Sequence, residues 1–257
     1  MKHRQGFQVG WLIAGIAAAV LLGLATFLVI DGNNKATNFE SYDFFSVIAP
    51  TKDNGNIGDH VKGNPNAPVL IFEYADFQCP GCASNNPKIN KIIEESDGKL
   101  AVVYRNHLLS YHQNGTAAAS AAESAGLQSD EKGNSYWKPY ADLLFANQAE
   151  WQDATGSERT ALFNKYFTEV TDGKGDLDKF NADIASENVS KKISFDMGIG
   201  RRITIEATPA FFVDGQPIRW SEAGELNING QTITWDSARS GDSFTKLFKD
   251  IVEAKTK

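Results

Sequence analysis

Runs of apolar residues divide the chain into strands and helices. Residues 69–74 (VLIFEY) form an unbroken apolar run after a proline, which is typical of a buried strand. Pro80 suits the first turn of a helix, and the isoleucines between residues 89 and 93 give that helix an apolar face. Residues 100–105 (LAVVYR) predict a second strand. Strand, helix and strand with a short return predict a βαβ unit with parallel strands.

The next hundred residues carry helical periodicity and no strand signal. They begin with an alanine-rich stretch, and aromatic and leucine positions then recur at helical spacing. Ser157 is a candidate N-cap. We therefore expect a block of four or five helices, drawn from residues 114–128, 134–148, 156–170, 176–190 and 191–202.

Strand signals return after residue 208. Asp214-Gly215 and Asn229-Gly230 each stand between apolar runs, which is a strong signal for a β-hairpin. Residues 242–254 predict a final amphipathic helix. The chain is thus expected to be an α/β protein, a small α/β domain interrupted by a helical block. The apolar face of the last helix consists of Phe244, Leu247, Phe248 and Ile251.

The first 60 residues differ from the rest. Residues 9–30 carry no charge, and at about 1.5 Å per residue they reach roughly 33 Å, enough to span a bilayer. A secretory signal has an apolar region of only about 7–15 residues, so we favour an uncleaved anchor over a cleaved signal. Lys2 and Arg4 precede the span and predict a cytoplasmic tail at residues 1–8, with the rest of the chain extracytoplasmic. Polar residues 31–60 predict a linker.

Composition and charge narrow the functional classes. Hydrophobic residues make up 42% and charged residues 22% of the chain, as in ordinary globular proteins. Lys and Arg number 25 against 32 Asp and Glu, a net charge of −7, and the basic residues form no cluster. Binding to nucleic acid is therefore not expected. Outside the membrane the surroundings are usually oxidising, so cysteines there tend to be paired.

The chain has two cysteines, Cys79 and Cys82, where the first strand meets its helix. A zinc site needs about four ligands, and the histidines lack ligand spacing, so no metal is expected. A structural disulfide across two residues would remove little unfolded-state entropy. At a helix N-terminus, unpaired N–H groups and the helix dipole favour a thiolate. We therefore predict a redox pair in a thioredoxin-like setting, with Cys79 exposed and reactive and Cys82 as its partner.

Two further features bear on this site. Glu73 is an acid in an apolar strand, either at a sheet edge or buried near Cys82, where it could relay a proton. Pro209 follows Thr208 and either marks the start of a strand or is a cis proline lying against the cysteines. In the second case the Thr208 backbone would be free to pair with a substrate strand. The residues alone leave both alternatives open.

Four segments together resemble the DsbA-like thiol:disulfide oxidoreductases, and more narrowly their membrane-anchored extracytoplasmic members. The resemblance covers residues 60–257 and implies a thioredoxin fold with an inserted α-helical domain. The thioredoxin domain would then be split between residues 61–112 and residues 203–257, with the helical insertion at 113–202 between them. The segments are FEYADFQCPGC, YRNHLLSYHQNGTAAASAAESA, YWKPYADLLFANQ and ATPAFFVDGQPI.

The resemblance also implies roles for individual residues. Cys79 would be the nucleophile, Cys82 the resolving cysteine, Glu73 the buried acid and Pro209 the cis proline. No metal or organic cofactor is implied. Family members oxidise reduced exported proteins and are themselves reoxidised by a membrane quinone reductase of the DsbB or VKOR type. Contacts with substrate would come from Thr208, Pro209, Pro80 and Gly81.

Two departures from the family pattern affect these expectations. The best-known members have Pro-His where this chain has Pro80-Gly81, so Gly81 offers no imidazole to the Cys79 thiolate. We therefore expect a weaker oxidant. Many relatives have Pro-Leu where this chain has Leu108-Leu109, which leaves the contacts of that loop open. The alternative functions are a disulfide reductase or isomerase, and a non-catalytic peptide-binding module.

Overall fold

The structure is a computed structural model, and it describes residues 37–219, 222–236 and 241–257. The predicted tail at 1–8 and the predicted anchor at 9–30 lie outside the described residues. Within the described residues, no helix is both long enough and apolar enough to cross a bilayer. Residues 40–257 form one compact unit.

A five-stranded sheet forms the centre of this unit, in the order β1-β3-β2-β4-β5. The predicted βαβ unit is confirmed, because β2 and β3 are parallel and joined through a helix. The other three pairs of neighbours are antiparallel. The strands are β1 (His60–Gly63), β2 (Val69–Ala75), β3 (Leu100–Asn106), β4 (Ala210–Val213) and β5 (Gln216–Ile218).

One face of the sheet packs against α1 (Pro80–Glu95) and α8 (Gly241–Thr256). Alternate residues of β2 point to this face, where they meet the isoleucines of α1. Pro80 starts α1 as predicted, since its fixed φ suits the first helical position. The predicted apolar face of the last helix is confirmed. Phe244, Leu247, Phe248 and Ile251 are all buried.

The helical block between β3 and β4 also forms, with boundaries that differ from the prediction. Ser157 lies inside α5, and Thr155 holds the N-cap position. The chain breaks at Ala185 and Ser186, where the Ser186 hydroxyl accepts a hydrogen bond from Val189 N at 3.3 Å. The helices are α2 (Gly115–Gly126), α3 (Trp137–Ala146), α4 (Gln148–Trp151), α5 (Gly156–Val170), α6 (Leu177–Ile184) and α7 (Glu187–Arg202).

Both predicted hairpins are confirmed. Asp214 and Gly215 have φ angles of 50° and 75°, and they join β4 to β5. Asn229 and Gly230 have φ angles of 52° and 79°. Positive φ at both central residues is the mark of a type I′ turn, whose twist matches that of the flanking strands. The second hairpin is a separate two-stranded sheet of β6 (Gly224–Ile228) and β7 (Gln231–Trp235).

The linker predicted for residues 31–60 is wrong for residues 40–60, which pack against the sheet within the compact unit. The guanidinium of Arg105 donates to Phe44 O at 2.6 Å and to Ser46 O at 2.9 Å. The polar residues of this segment build turns. Asn54, for example, accepts from Thr51 N at 2.7 Å. Composition indicated a tether because Arg105, the buried partner of Phe44 and Ser46, lies about sixty residues further along the chain.

Candidate active site

The cysteines are held where the loop after β2 enters α1. Cys79 is the N-cap residue of α1, and Cys82 lies in the first turn. A turn centred on Asp76 sets this geometry, since Asp76 O accepts from Cys79 N at 3.0 Å and Asp76 Oδ1 from Gln78 N at 2.9 Å. The two cysteines are reduced, with no disulfide between them. Cys79 is the more accessible of the two, although only 7% of its surface is exposed, against 0% for Cys82.

The two sulfurs have opposite acidities. A hydrogen bond from Cys82 is the largest influence on Cys79, and it acts with the Thr208 side chain and with the backbone N–H groups of Gly81 and Cys82. Together these donors outweigh burial and lower the pKa of Cys79 from 9.0 to about 5. Burial raises the pKa of Cys82 well above 9.0. At neutral pH the reduced pair therefore holds one thiolate and one thiol.

Thr208 and Pro209 form the opposite wall of the site. The Thr208-Pro209 peptide bond is cis, so the second sequence alternative holds. A Cβ on Gly81 would lie 3.1 Å from Pro209 Cδ and 3.7 Å from Cys79 Sγ, which places the proline ring against the cysteine turn. When Cys79 is protonated, its thiol donates to Thr208 O at 3.2 Å, so this carbonyl is occupied only below the pKa of Cys79. Among the described residues the Thr208 hydroxyl has no hydrogen-bond partner, and it can donate once the thiol ionises.

Glu73 is buried beneath the pair. Its strand, β2, lies between β3 and β4, so the sheet-edge alternative is wrong. The residue is 1% exposed, and burial raises its pKa from 4.5 to about 7 against the opposing charge of Lys62. The charge of Glu73 acts on Cys82 as well. A carboxyl group that titrates near neutrality is suited to give and take a proton at physiological pH.

Asp76 is a site residue that the sequence analysis did not single out. Its carboxylate is fully buried, and Oδ2 accepts from Leu109 N at 2.9 Å and from His112 Nδ1 at 2.8 Å. It thereby ties the loop after β3 to the loop that carries Cys79. The contacts of the Leu108-Leu109 loop, which the sequence left open, are therefore made through its backbone. Leu109 N donates to Asp76, and Leu108 N contacts Met197 Sδ at 2.9 Å. The available signal was an acid directly after the strand that precedes the motif.

The described histidines belong to separate local contacts. His60 pairs with Glu123 at 2.7 Å, His112 pairs with Asp76, and burial lowers the pKa of His107. In residues 37–219, 222–236 and 241–257, no three His, Cys, Asp or Glu side chains gather as a metal site. The fold instead brings Glu73 and the Thr208-Pro209 peptide close to the two cysteines.

The family model described as thioredoxin matches residues 55–226, more than half of the chain. The chain belongs to the thioredoxin family. The matched region of this thioredoxin-family chain includes the two cysteines, Glu73 and Pro209. It also includes the helical block, so the insertion lies inside the region that the family model recognises.

Solved structures show that the fold of this thioredoxin-family chain is DsbA-like. Oxidised BdbD from Bacillus subtilis superposes with a TM-score of 0.56 at 18% identity, over 83% of this chain and 98% of that one. The alpha-DsbA1 of Wolbachia pipientis superposes with a TM-score of 0.54 at 22% identity, over 77% of this chain and 92% of that one. Likeness at this level of identity concerns the fold.

Curated relatives of this thioredoxin-family chain include longer proteins. A protein named Na(+)/H(+) antiporter NhaA 1, from Salinispora arenicola, is 31% identical over 186 residues, which is 71% of this chain. The matched region is 25% of that protein, so the chain spans about a quarter of the length of this relative. The antiporter name belongs to that longer protein.

Proposed function

We propose that this protein is a thiol:disulfide oxidoreductase that introduces disulfide bonds into exported proteins. The observation that carries the proposal is the opposite acidity of the two sulfurs, with Cys79 at a pKa of about 5 and Cys82 well above 9.0. Lowering the pKa of Cys79 stabilises the reduced enzyme, and a stabilised reduced form makes the disulfide a stronger oxidant.

The reaction begins from the Cys79–Cys82 disulfide. A substrate thiolate attacks the Cys79 sulfur, which forms a mixed disulfide and breaks the Cys79–Cys82 bond. Cys82 leaves as a thiolate and takes the proton of the Glu73 carboxyl group. A second thiolate of the same substrate then attacks the substrate sulfur in the mixed disulfide, and Cys79 leaves as a thiolate. Two electrons pass from the substrate dithiol to the enzyme, and the substrate departs with a disulfide.

Partners and location follow from the resemblance and from the N-terminal pattern. The substrates are reduced exported proteins, held beside Thr208, Pro209, Pro80 and Gly81. A membrane quinone reductase of the DsbB or VKOR type removes the two electrons and restores the disulfide. Residues 9–30 anchor the chain in the membrane as a single span, with residues 1–8 in the cytoplasm and the catalytic domain outside the cell membrane.

The position of Gly81 favours a second candidate, an extracytoplasmic reductase or isomerase. Without an imidazole beside the thiolate, the pair has less stabilisation of its reduced form than a Pro-His motif would give it. A partner that keeps the pair reduced would then reverse the direction of electron flow. The reduction potential distinguishes these two functions.

The test begins with the thiolate. Ultraviolet absorbance of the reduced full-length protein in detergent should rise through a transition near pH 5, and Cys79→Ser should abolish it. Cys82→Ser should keep the transition but move it to higher pH, because the Cys82 donor is lost. A Cys79 transition near pH 9 would contradict the mechanism.

The equilibrium with glutathione then decides the direction of transfer. A potential on the oxidising side of glutathione, with oxidation of a reduced unfolded protein, supports the oxidase. A potential on the reducing side supports the reductase or isomerase. If Cys79→Ser keeps full activity in the cell, the fold serves only as a peptide-binding module.

A further inference from the structure

A fully buried lysine lies beneath the active site. Lys62, on β1, is 0% exposed, and its ammonium donates to Asn86 Oδ1 on α1. Its Nζ also lies 3.6 Å from Asp142 Oδ1 on α3. The same ammonium is 5.8 Å from the ring centroids of Trp137 and Phe145. Because a buried charge is costly without compensation, Lys62 depends on its neighbouring anions.

Strand register places Lys62 and Glu73 on the same face of the sheet. Glu73 lies opposite Tyr104 on β3, and Lys62 lies opposite Val102 on the other side of β3. Residues two apart on a strand share a face, so the side chains of all four point toward α1. Lys62 is the main charge opposing the raised pKa of Glu73. Glu73 and then Asp142 are the charges that oppose the lowered pKa of Lys62.

Asp142 is the member of this group of side chains that reaches the protein surface. It belongs to α3 of the helical insertion, and 26% of its side chain is exposed. Oδ1 accepts from Asn86 Nδ2 at 2.9 Å and from Asn90 Nδ2 at 3.0 Å, and Oδ2 accepts from Lys138 Nζ at 2.8 Å. Lys62 therefore interacts electrostatically with a buried carboxyl group and with a carboxylate that reaches water.

We propose that Lys62 and Asp142 are positioning residues that control the ionisation of Glu73, with the Lys62 ammonium shared between the two carboxyl groups. When the disulfide opens, Cys82 takes the Glu73 proton, and the ammonium is drawn toward the new Glu73 carboxylate. When the disulfide forms again, Glu73 recovers a proton and the ammonium returns to Asp142. The helical insertion thereby acts on the redox centre. The inference rests on the proposed function and assigns residues to it.

Few other charges face this group. From β4, the residue opposite Glu73 is Phe211, which is uncharged. Burial raises the pKa of Tyr104 well above its ordinary value, so that phenol stays neutral. The charges that act on Glu73 and Lys62 are therefore those of the site and of α3. The ionisable groups that act with Glu73 or Lys62 are Tyr104 of β3, Cys79 at the N-cap of α1, Cys82 in α1, and Asp142 and Lys138 of α3.

The experiment is a direct titration of Glu73. The reduced full-length protein in detergent is labelled with carbon-13 at its glutamate carboxyl groups, and the Glu73 signal is assigned by its loss in Glu73→Gln. Asp142→Asn should lower the pKa of Glu73 by about one unit, because the Lys62 ammonium then has Glu73 as its only carboxylate neighbour in this group. Lys62→Met should raise it, because the nearest cation is gone. Asp142→Glu keeps the charge and should restore the native titration.

The matched control is Asp183→Asn on α6. Asp183 is also a partly buried acid paired with a lysine four residues away, Lys179, but it belongs to a different surface. Equal shifts from Asp142→Asn and Asp183→Asn would overturn the proposal. Shifts of the Glu73 pKa with the same sign in Asp142→Asn and Lys62→Met would also overturn it. Water that enters a loosened site would lower the pKa of Glu73 in both variants.

The carboxyl titration does not depend on which way electrons flow. The measured reduction potential could contradict the oxidase while Asp142→Asn still changes the pKa of Glu73. It could also support the oxidase while the pKa of Glu73 stays unchanged. If Lys62→Met does not fold, the pair Asp142→Asn and Asp142→Glu still decides the question. A pKa of Glu73 that is equal in those two variants overturns the proposal.

Discussion

Two clusters of buried charge lie on opposite faces of the same sheet, and they differ in how completely their charges are paired. The Arg105 cluster consists of Arg105, Asp59, Lys192 and Asp196, and it lies on the face covered by residues 40–60 and by α7. The Glu73 cluster consists of Glu73, Lys62, Asn86 and Asp142, and it lies on the active-site face.

The Arg105 cluster is fully paired. Asp59 lies 2.7 Å from the Arg105 guanidinium and 3.1 Å from the Lys192 ammonium, which is also 2.8 Å from Asp196. Burial acts to raise the pKa of Asp59, but the charges of Lys192 and then Arg105 outweigh it and hold the pKa at about 2. The pKa of Asp59 is lowered and those of Arg105 and Lys192 are raised, so these three groups keep their charges at physiological pH, whereas burial raises the pKa of Asp196. The cluster holds the N-terminal segment in place.

The Glu73 cluster is incompletely paired. Among the described residues, Oε2 of Glu73 has no hydrogen-bond partner, and the pKa of this carboxyl is raised to about 7. One face of the sheet thus packs against an acid that stays ionised, and the other face carries an acid that titrates near neutrality. Incomplete pairing leaves the buried Glu73 carboxyl able to exchange a proton near neutral pH, whereas two neighbouring cations hold Asp59 ionised.

The largest expected effect comes from breaking the Arg105 cluster. Arg105→Leu leaves buried Asp59 without its closest cation and releases Phe44 O and Ser46 O, so we expect a loss of about 3–5 kcal/mol in the free energy of unfolding. Urea denaturation measures it. Lys246→Ala breaks the exposed pair with Asp250 and should cost no more than about 0.5 kcal/mol. Equal losses in the two variants would contradict the structural role of the Arg105 cluster.

The next effect concerns Glu73 and pH. Folding raises the pKa of Glu73 from 4.5 to about 7, so the folded state favours the neutral acid. Stability from this group is complete below about pH 4.5 and is lost as pH rises through 7. Glu73→Gln should therefore be more stable than the native protein at pH 8, by roughly 3 kcal/mol, with little of this gain at pH 4. Urea denaturation at the two pH values measures the difference.

Asp59 should show the opposite dependence. Its pKa falls from 3.8 to about 2 on folding, so its contribution is present above about pH 3.8 and is lost as pH falls through 2. Asp59→Asn should remove stability at pH 7 and little at the lowest pH. If both acids showed the same dependence, complete and incomplete pairing would not be the relevant difference.

The sequence predicted those features of the site that are close in the chain. The strand at VLIFEY, the helix opened by Pro80 and the turn at Asp214-Gly215 all depend on local pattern, and all three are confirmed. Local pattern could not pair Lys62 with Asp142, because these residues are distant in sequence and meet only through packing of α3 against β1 and α1. Strand β1 was missed for the same reason, since four residues carry little periodicity.

A smaller effect is expected at the Cys79 thiolate. Thr208→Val keeps the size and branching of the side chain but removes the hydroxyl donor, so the pKa of Cys79 should rise from about 5 by about one unit. Thiolate absorbance against pH measures the shift. Thr232→Val on exposed strand β7 is the matched control and should leave the titration unchanged. A shift in Thr232→Val as large as that in Thr208→Val would contradict a direct hydrogen bond.

The smallest effect is expected at Gly81, where an added side chain would lie beside Cys79 and against Pro209. Gly81→His places an imidazole beside Cys79 Sγ, so the pKa of Cys79 should fall by less than about one unit, and the disulfide should become more oxidising. The new Cβ would lie 3.1 Å from Pro209 Cδ, so Gly81→Ala is needed as a control for crowding alone. Equilibration with glutathione compares the potentials. If Gly81→Ala shifts the potential as far as Gly81→His, the effect is steric, and the thiolate depends on the donors already present at the N-terminus of α1.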